Sequence, residues 1–507
     1  MRLLRSMEAP RAIYLAAAFS IASLGLASTA NAALVVSTNA TKNVSCSAGV
    51  CTATALHAVL NVGSLQTLLA SGSVKLVSGS VAGDIDVIAS LTWASNNGLT
   101  LDAYHSIEIS QPVAVSGSGP LTLTNNDGGS NGALGFQAKG RVAFLSTSNA
   151  LTINGNAYTL FDSVSQLVSD YAADTSNYYA LANNYDAKPD GTYSHSPINE
   201  FDANMEGLGN SISRLSIMGT NANGLFSTND GIIQDLSLLN VAIRGGSPSE
   251  VVASYVGALA GTNYVGNIIN CSVTGRVHGE KNSTVGGLVG FNNEGQIISS
   301  HSSAEVQGWD AAGGLVGGNG GAISYSSATG KVTSLAHRGA GTYAGGLVGM
   351  SGGAIDSSFA TGAVSGETAG GLAGLSGHPI THSYATGAVS AALYGGGLLG
   401  VNEATQALNV SQVYSTGSVA QTGTFGGLIG QDQVHSGNIS DAYWDETTSG
   451  VTNSSQGAGT PANDPGIAGL SNTQLTSALP TGFDPAIWAQ SPSINNGLPY
   501  LIANPPR

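Results

Sequence analysis

Residues 313–332 read Gly-Gly-Leu-Val-Gly-Gly-Asn-Gly-Gly-Ala-Ile-Ser-Tyr-Ser-Ser-Ala-Thr-Gly-Lys-Val. Their opening word, Gly-Gly-Leu-apolar-Gly, returns at 286–290, 345–349, 370–374, 396–400 and 426–430, with an imperfect copy at 257–261. The central leucines, Leu259, Leu288, Leu315, Leu347, Leu372, Leu398 and Leu428, stand 25 to 32 residues apart. A fixed word at such a period marks a repeat architecture. Eight residues after Leu315, Leu347 and Leu372 comes an isoleucine, and nine residues later a valine (Ile323 and Val332, Ile355 and Val364, Ile380 and Val389). Each repeat therefore carries three short apolar segments bounded by Gly, Ser, Thr or Asn. They are too short for helices and suit three strands joined by three turns, stacked coil on coil at about 4.8 Å per coil. Glycine belongs at the corners, where positive φ or close backbone approach is needed. The fold expected is all-β: a right-handed parallel β-helix (β-solenoid) with three strands per coil, minor helical caps and an insertion.

Working outward, Arg2, Arg5 and Arg11 precede the apolar run 12–26, and Ala30-Asn31-Ala32 supplies small residues for cleavage. This reads as a secretory signal peptide over 1–32. No later stretch approaches the ~20 apolar residues of a spanning helix, so the mature chain is expected to be exported without an integral membrane segment: secreted, at the cell surface, or periplasmic. Residues 33–72 are expected to form an N-terminal cap segment whose helix, near 62–72, shields unpaired strand edges. Irregular coils follow over 73–160, a helical excursion over 161–200 opened by Ser163 and Gln166, transition coils over 201–248, and the repeat coils over 249–450. Residues 451–507, with Phe483, Ile487, Trp488, Leu498, Tyr500 and Leu501, are expected to cap the C-terminal end, as solenoid stability requires.

The formal charge is −15, or about −17 without residues 1–32, which disfavours nucleic acid and anionic lipid as partners. Only 9% of residues are charged, which suits stacked strands, because like charges one strand apart repel. Periodic apolar residues argue against disorder. In an exported chain Cys46 and Cys51 are candidates for a small disulfide loop. Cys271 occupies a slot held by Ser300, Ser326, Ser358 and Ser383 in later coils and reads as a buried filler.

Superposing the coils exposes two ladders. Four residues past each isoleucine stand Ser272, His301, Ser327, Phe359, Tyr384, Tyr414 and Tyr443. Phe359, Tyr384, Tyr414 and Tyr443 form either a packing stack or an exposed track for glycan rings. One residue past each leucine stand Ala260, Val289, Val316, Val348, Ala373, Leu399 and Ile429. Strand alternation would turn Val289, Val316, Val348 and Leu399 outward as an apolar stripe, unless a glycine bulge turns both side chains inward. Catalytic patterns are poor. Gly128-Gly129-Ser130-Asn131-Gly132 lies in a polar turn and makes no nucleophile elbow. His378 and His382 lack a helix to converge them, and no metal site or cofactor is expected. Asp84, Asp86, Asp102 and Asp127 are the acids left to meet on neighbouring coils.

The word with its trailing Ile-x-x-Ser-x-Ala-Thr-Gly-x-Val, as in 323–332, resembles the GLUG motif of bacterial surface proteins. The earlier part, with Leu99-Thr100-Leu101-Asp102-Ala103, Leu151-Thr152-Ile153-Asn154-Gly155 and Tyr158-Thr159-Leu160, resembles filamentous haemagglutinin-type exoproteins. The resemblance implies a secreted or surface-displayed β-helix acting in adhesion. It departs from that family in lacking a secretion motif of the Asn-Pro-Asn-Leu type. The expectation is a non-enzymatic, adhesin-like module that binds a glycan or protein on a host or neighbouring cell, with self-association along the column as a further expectation. The rival readings are a polysaccharide lyase or hydrolase on the same fold, and a purely structural envelope protein.

Overall fold

A computed structural model describes residues 32–506 except 176, 221, 247–253, 336–340, 404–409, 421 and 435–438; the expected signal peptide lies almost wholly outside the described residues. The chain is a parallel β-solenoid of about 15 turns with a few short helices. Three walls are plainest in the tighter coils. Ala373–Ser376 forms wall I, Ile380–Ala385 wall II and Val389–Gly396 wall III, after which Leu399–Asn402 begins the next wall I. In other coils walls II and III each break into two strands, as in Gln296–Ile298 with His301–Ser302 and in Glu305–Gly308 with Ala311–Gly313. Wall I is one sheet of ten strands running from Ile198–Phe201 to Ala458–Thr460.

The repeat glycines work by close approach. A Cβ on Gly286 would overlap the Val289 carbonyl oxygen, and one on Gly287 would overlap the Gly314 carbonyl of the next coil. Positive φ is instead carried by other residues at a bend within wall II, two past each isoleucine or valine: Asp235, Asn270, Ser299, Tyr325, Ser357, His382, Gln412 and Asp441, at φ 45–56°. At the Gly-Gly-Leu bend, Leu288 sits in the turn and Val289 opens the next strand, so the alternation restarts there. Both side chains consequently point inward and are fully buried, as are Val316, Val348 and Leu399. The expected outward apolar stripe is corrected: these residues are core.

In the N-terminal part Ala33–Ser37 is a wall strand, paired with Ala58–Asn61 on one side and Asp84–Val87 on the other. The helix Val62–Ser71 buries Leu65 and Leu69 and packs on the strands Leu91–Trp93, Ala58–Asn61 and Val74–Val77. Cys46 and Cys51 face each other in the hairpin Val44–Ser47/Val50–Ala53 and are joined by a disulfide.

The chain turns back on itself at Asn154-Gly155, with φ of 48° and 82°, so that Asn156–Phe161 runs antiparallel to Leu151–Ile153. Asn-Gly between alternating segments is a strong signal for this kind of hairpin. The next strand, Tyr178–Leu181, pairs in parallel with Asn156–Phe161. Leu160, Ala180 and Ala182 belong to the core of the N-terminal coils, whereas Phe161, Tyr179 and Leu181 belong to the core of the repeat coils. Strand direction and core side thus invert together. Reversing direction alone would reverse the hand of the winding; reversing both preserves it. Two solenoids therefore share one continuous sheet.

The C-terminal end is filled by Trp444, fully buried at a register position held by Ser415 in the preceding coil; its indole N–H donates to the Val451 carbonyl at 3.2 Å. The tail does more than cover this end. Tyr443 Oη donates to the Thr481 carbonyl, the Asp484 amide donates to Gln412, and Asn504 Nδ2 donates to the carbonyls of Ser357 and Ser326. It is a strap that runs back along wall II over several coils.

Candidate functional site

The aromatic ladder exists. Phe359 and Tyr384 stack at 4.9 Å with 7° between planes, and Tyr384 and Tyr414 at 4.9 Å with 3°. It faces away from the solenoid core, and the strap covers it: Phe483, Trp488, Leu498 and Leu501 pack with these rings in one buried cluster. Tyr414 Oη donates to the Pro499 carbonyl at 2.6 Å and accepts from Asn495 Nδ2 at 2.8 Å. Phe359, Tyr384 and Tyr414 are at most 2% exposed, and only Tyr443 is half-buried. Of the two readings offered for these residues the packing stack holds and the open glycan track is corrected, because a row of outward rings would otherwise leave a large apolar face in water.

Two further ladders run along the coils: the serine slot, legible in the sequence, and an asparagine series that sequence reasoning missed. Four residues past their leucines, Asn229, Asn263, Asn292 and Asn319 are buried, and each Nδ2 of the first three donates to the next Oδ1 at 2.7–2.8 Å. Asn402 repeats this toward Asp432 at 2.9 Å. The constant offset was present in the sequence. Beside them Ser326, Ser358 and Ser383 accept at Oγ from the amides of Ser300, Ser326 and Ser358 at 3.1–3.2 Å. Cys271 donates its own amide to Ser300 Oγ in the same series, and it is buried and free.

The acids divide. Asp84 holds the His105 Nδ1 at 2.7 Å, Asp102 pairs with Lys75 at 2.5 Å, and Asp127 is exposed. Asp86 lies beside Glu108 in register. Burial, with Asp84 next, pushes Asp86 up to about 6; burial, with Asp86 next, pushes Glu108 up to about 7. His382 Nδ1 lies 2.7 Å from Asp356, bridging adjacent coils, while His378 is exposed. Among the described residues no group of three or more His, Cys, Asp or Glu could hold a metal, and no helix is long and apolar enough to cross a membrane.

The best-formed outer feature is a seam where walls III and I turn their outward faces toward each other. The Gly-Gly-Leu bend is tight enough that a Cβ on Gly290 would strike the Val256 amide of the preceding coil. Tyr255 of wall III stacks on Phe291 of wall I at 5.0 Å. In register above Tyr255 come Thr284, Ala311, Tyr343, Thr368, Tyr394 and Thr424. Opposite them Phe291 is followed by Gly318, Met350, Leu375, Val401 and Gln431. Leu375 and Val401 are buried, whereas Tyr255, Phe291, Tyr343, Met350 and Tyr394 stay partly exposed. Among the described residues the Tyr255, Tyr343 and Tyr394 hydroxyls have no hydrogen-bond partner. The seam was not foreseen, since only the acute bend brings the two walls together.

Fold and seam define a class: a parallel β-solenoid built from glycine-cornered coils. More particularly, the chain carries the GLUG motif, whose profile matches residues 252–277 and 311–333. Halomucin of Haloquadratum walsbyi is 36% identical over 107 residues, which are 20% of this chain and 1% of halomucin. A Bacteroides ovatus crystal structure provisionally described as an immunoglobulin A1 protease is similar over 68% of this chain and 92% of its own, with 17% identity and a TM-score of 0.40. That score is too low to carry an argument.

Proposed function

We propose that this chain is an exported, non-enzymatic, adhesin-like solenoid of the filamentous haemagglutinin-like kind, secreted or held at the cell surface, which binds a glycan or protein on a host or neighbouring cell and needs no cofactor. The observation that supports it is the seam of partly exposed rings with unpartnered hydroxyls. Tyr343 and Tyr394 are two coils apart, about 10 Å at one strand spacing per coil, a periodic platform suited to an extended ligand. Aromatic faces carrying a polar tip suit such surfaces. The test is a glycan array and a cell-surface binding assay with residues 33–507. Binding should fall at least about tenfold in a Tyr343→Ala, Tyr394→Ala double variant, a loss of about 1.4 kcal/mol. Blank arrays and bare cells would overturn the reading.

One observation favours a second reading, a carbohydrate-active enzyme. Asp86 and Glu108 are adjacent carboxyl groups, the latter raised to about 7, as suits a general acid. Neither of the two cavities described for this fold is lined by them. Polysaccharide cleavage that disappears in Glu108→Gln would establish it over the binding role.

A further inference from the structure

In a chain of net charge −15, two cations line one cleft and, among the described residues, neither has a counter-ion. Lys139 and Arg141 line a cavity of about 270 Å³ together with Asn184, Ser211, Ser237 and Gly209. Arg214, Arg244 and Arg276 are each in an ion pair, and among the described residues Arg141 is the arginine that is not; Lys139, like Lys42, Lys188, Lys281 and Lys331 and unlike Lys75, is in none either. Arg141 Nε is buried and, among the described residues, has no hydrogen-bond partner, so any ligand would have to meet the guanidinium at its terminal nitrogens.

Both solenoids build this cleft. Arg141 opens the strand Arg141–Phe144, whose next residue donates its amide to the Leu208 carbonyl at 2.9 Å. Asn210 Nδ2 returns a bond to the Val142 carbonyl at 2.7 Å. Gly209, at φ 71°, lies where a Cβ would strike the Gly140 carbonyl, so glycine lets the second solenoid press onto the first. Ser211 gives both its amide and its hydroxyl to Asn184 Oδ1, at 2.9 and 3.2 Å. The Asn184 Nδ2 group keeps its donors free among the described residues.

We propose that this cleft binds a single carboxylate-bearing sugar at the end of a glycan, with the Arg141 guanidinium on the carboxylate and Lys139, Asn184, Ser211 and Ser237 on the carboxylate and ring hydroxyls. Planar guanidinium matches carboxylate geometry through paired hydrogen bonds. The volume falls just below the roughly 300–1,000 Å³ of pockets for drug-sized ligands, which suits one ring. The strongly acidic molecule repels a polyanionic stretch, so a lone acidic terminus fits better. Acids on the lining segments compete little: burial pushes both Glu206 and Asp235 toward the protonated form, and Asp186, held ionised, is paired with Arg214. The site is separate from the seam and does not depend on it.

The test is calorimetric titration of residues 33–507 with glucuronate and galacturonate, with glucose and galactose, and with sulfate and phosphate, at low and high salt. The uronates should bind, salt should weaken them and the neutral sugars should be silent. Arg141→Gln should weaken uronate binding at least about tenfold, a change of 1.4 kcal/mol, and Lys139→Gln should weaken it severalfold with an unchanged circular dichroism spectrum. Because Lys139 is exposed, its variant keeps the test decisive even where Arg141→Gln disturbs folding. Equal binding of neutral sugars, inorganic anions binding as tightly as uronates, or indifference to Lys139→Gln would each overturn the proposal. A Tyr343→Ala, Tyr394→Ala chain should keep its uronate affinity, which separates this site from the seam.

Discussion

Tyr384 and Tyr414 stack on one another, yet their hydroxyls have opposite surroundings. Tyr414 Oη is bonded to Pro499 and Asn495, whereas Tyr384 Oη is buried with no partner among the described residues, as is Trp488 Nε1. A buried unpaired polar group costs about 1–3 kcal/mol. Tyr384→Phe is therefore expected to stabilise the protein by about 1 kcal/mol in urea unfolding, and Tyr414→Phe to destabilise it by about as much; equal effects from both would contradict the assignment. The wall II bend shows a second residue-scale demand. Asn270 and Asp235 tolerate the left-handed region well, but Tyr325 and Gln412 also occupy it, at a cost of roughly 1–2 kcal/mol each. They are held there because every coil must turn at that position to stay in register with its neighbours.

At the level of elements, the strap is the part whose role was half legible. Its apolar residues and the helix Asn472–Ser477, opened by a complete Ser471/Gln474 capping box, could be read from the sequence. Its course along wall II could not, because an apolar segment fits any apolar face and only the three-dimensional position of Phe359, Tyr384 and Tyr414 selects one. In a solenoid each coil contacts mainly its neighbours, so deletion of residues 471–507 should leave the strand content intact by circular dichroism. It should also uncover the rings, raising the binding of a hydrophobic dye and driving self-association on gel filtration. A monomer with no added dye binding would contradict the strap's role.

For the whole molecule, the acids at the meeting of the two solenoids set a pH dependence. Glu206 and Asp235 are buried and hydrogen-bonded to each other; burial first, and for Glu206 the Asp235 charge next, raises both. Asp464 is raised by burial and then by its bond to Asp432, and Asp86 and Glu108 rise to about 6 and about 7. Folded values above the unfolded ones of about 4 mean that the native state binds these protons more tightly. Their contribution is complete below about pH 4 and is lost as pH rises through 6 to 7. Asp356 acts in a different window: burial would raise it, but hydrogen bonds from His382, Thr381 and Ser357 outweigh burial and lower it, so its contribution is present above about pH 4 and is lost only in stronger acid. The thermal midpoint should accordingly fall between about pH 5 and pH 8, and Glu206→Gln with Asp235→Asn should flatten the fall. A midpoint that rises over this range would refute the linkage.

The sequence by itself determined the coil. The leucine, isoleucine and valine at fixed offsets, with glycine where backbones nearly touch, admit one stacked architecture, because coils held in register by backbone hydrogen bonds bring equivalent positions to the same place, and the inward ones must be apolar in every coil. The same periodicity carried the asparagine and serine ladders, although only their burial gives them meaning. Tertiary structure decided which faces meet. Whether Val289 points in or out depends on where the alternation restarts after the bend, and whether Tyr384 is a surface depends on where a tail more than sixty residues beyond it comes to rest. Lys139 and Arg141 become a cleft only because the Asn154-Gly155 hairpin brings a second solenoid against the first. Periodicity is local and readable along the chain; apposition depends on distant segments competing for the same apolar and polar partners, and that competition is settled in space.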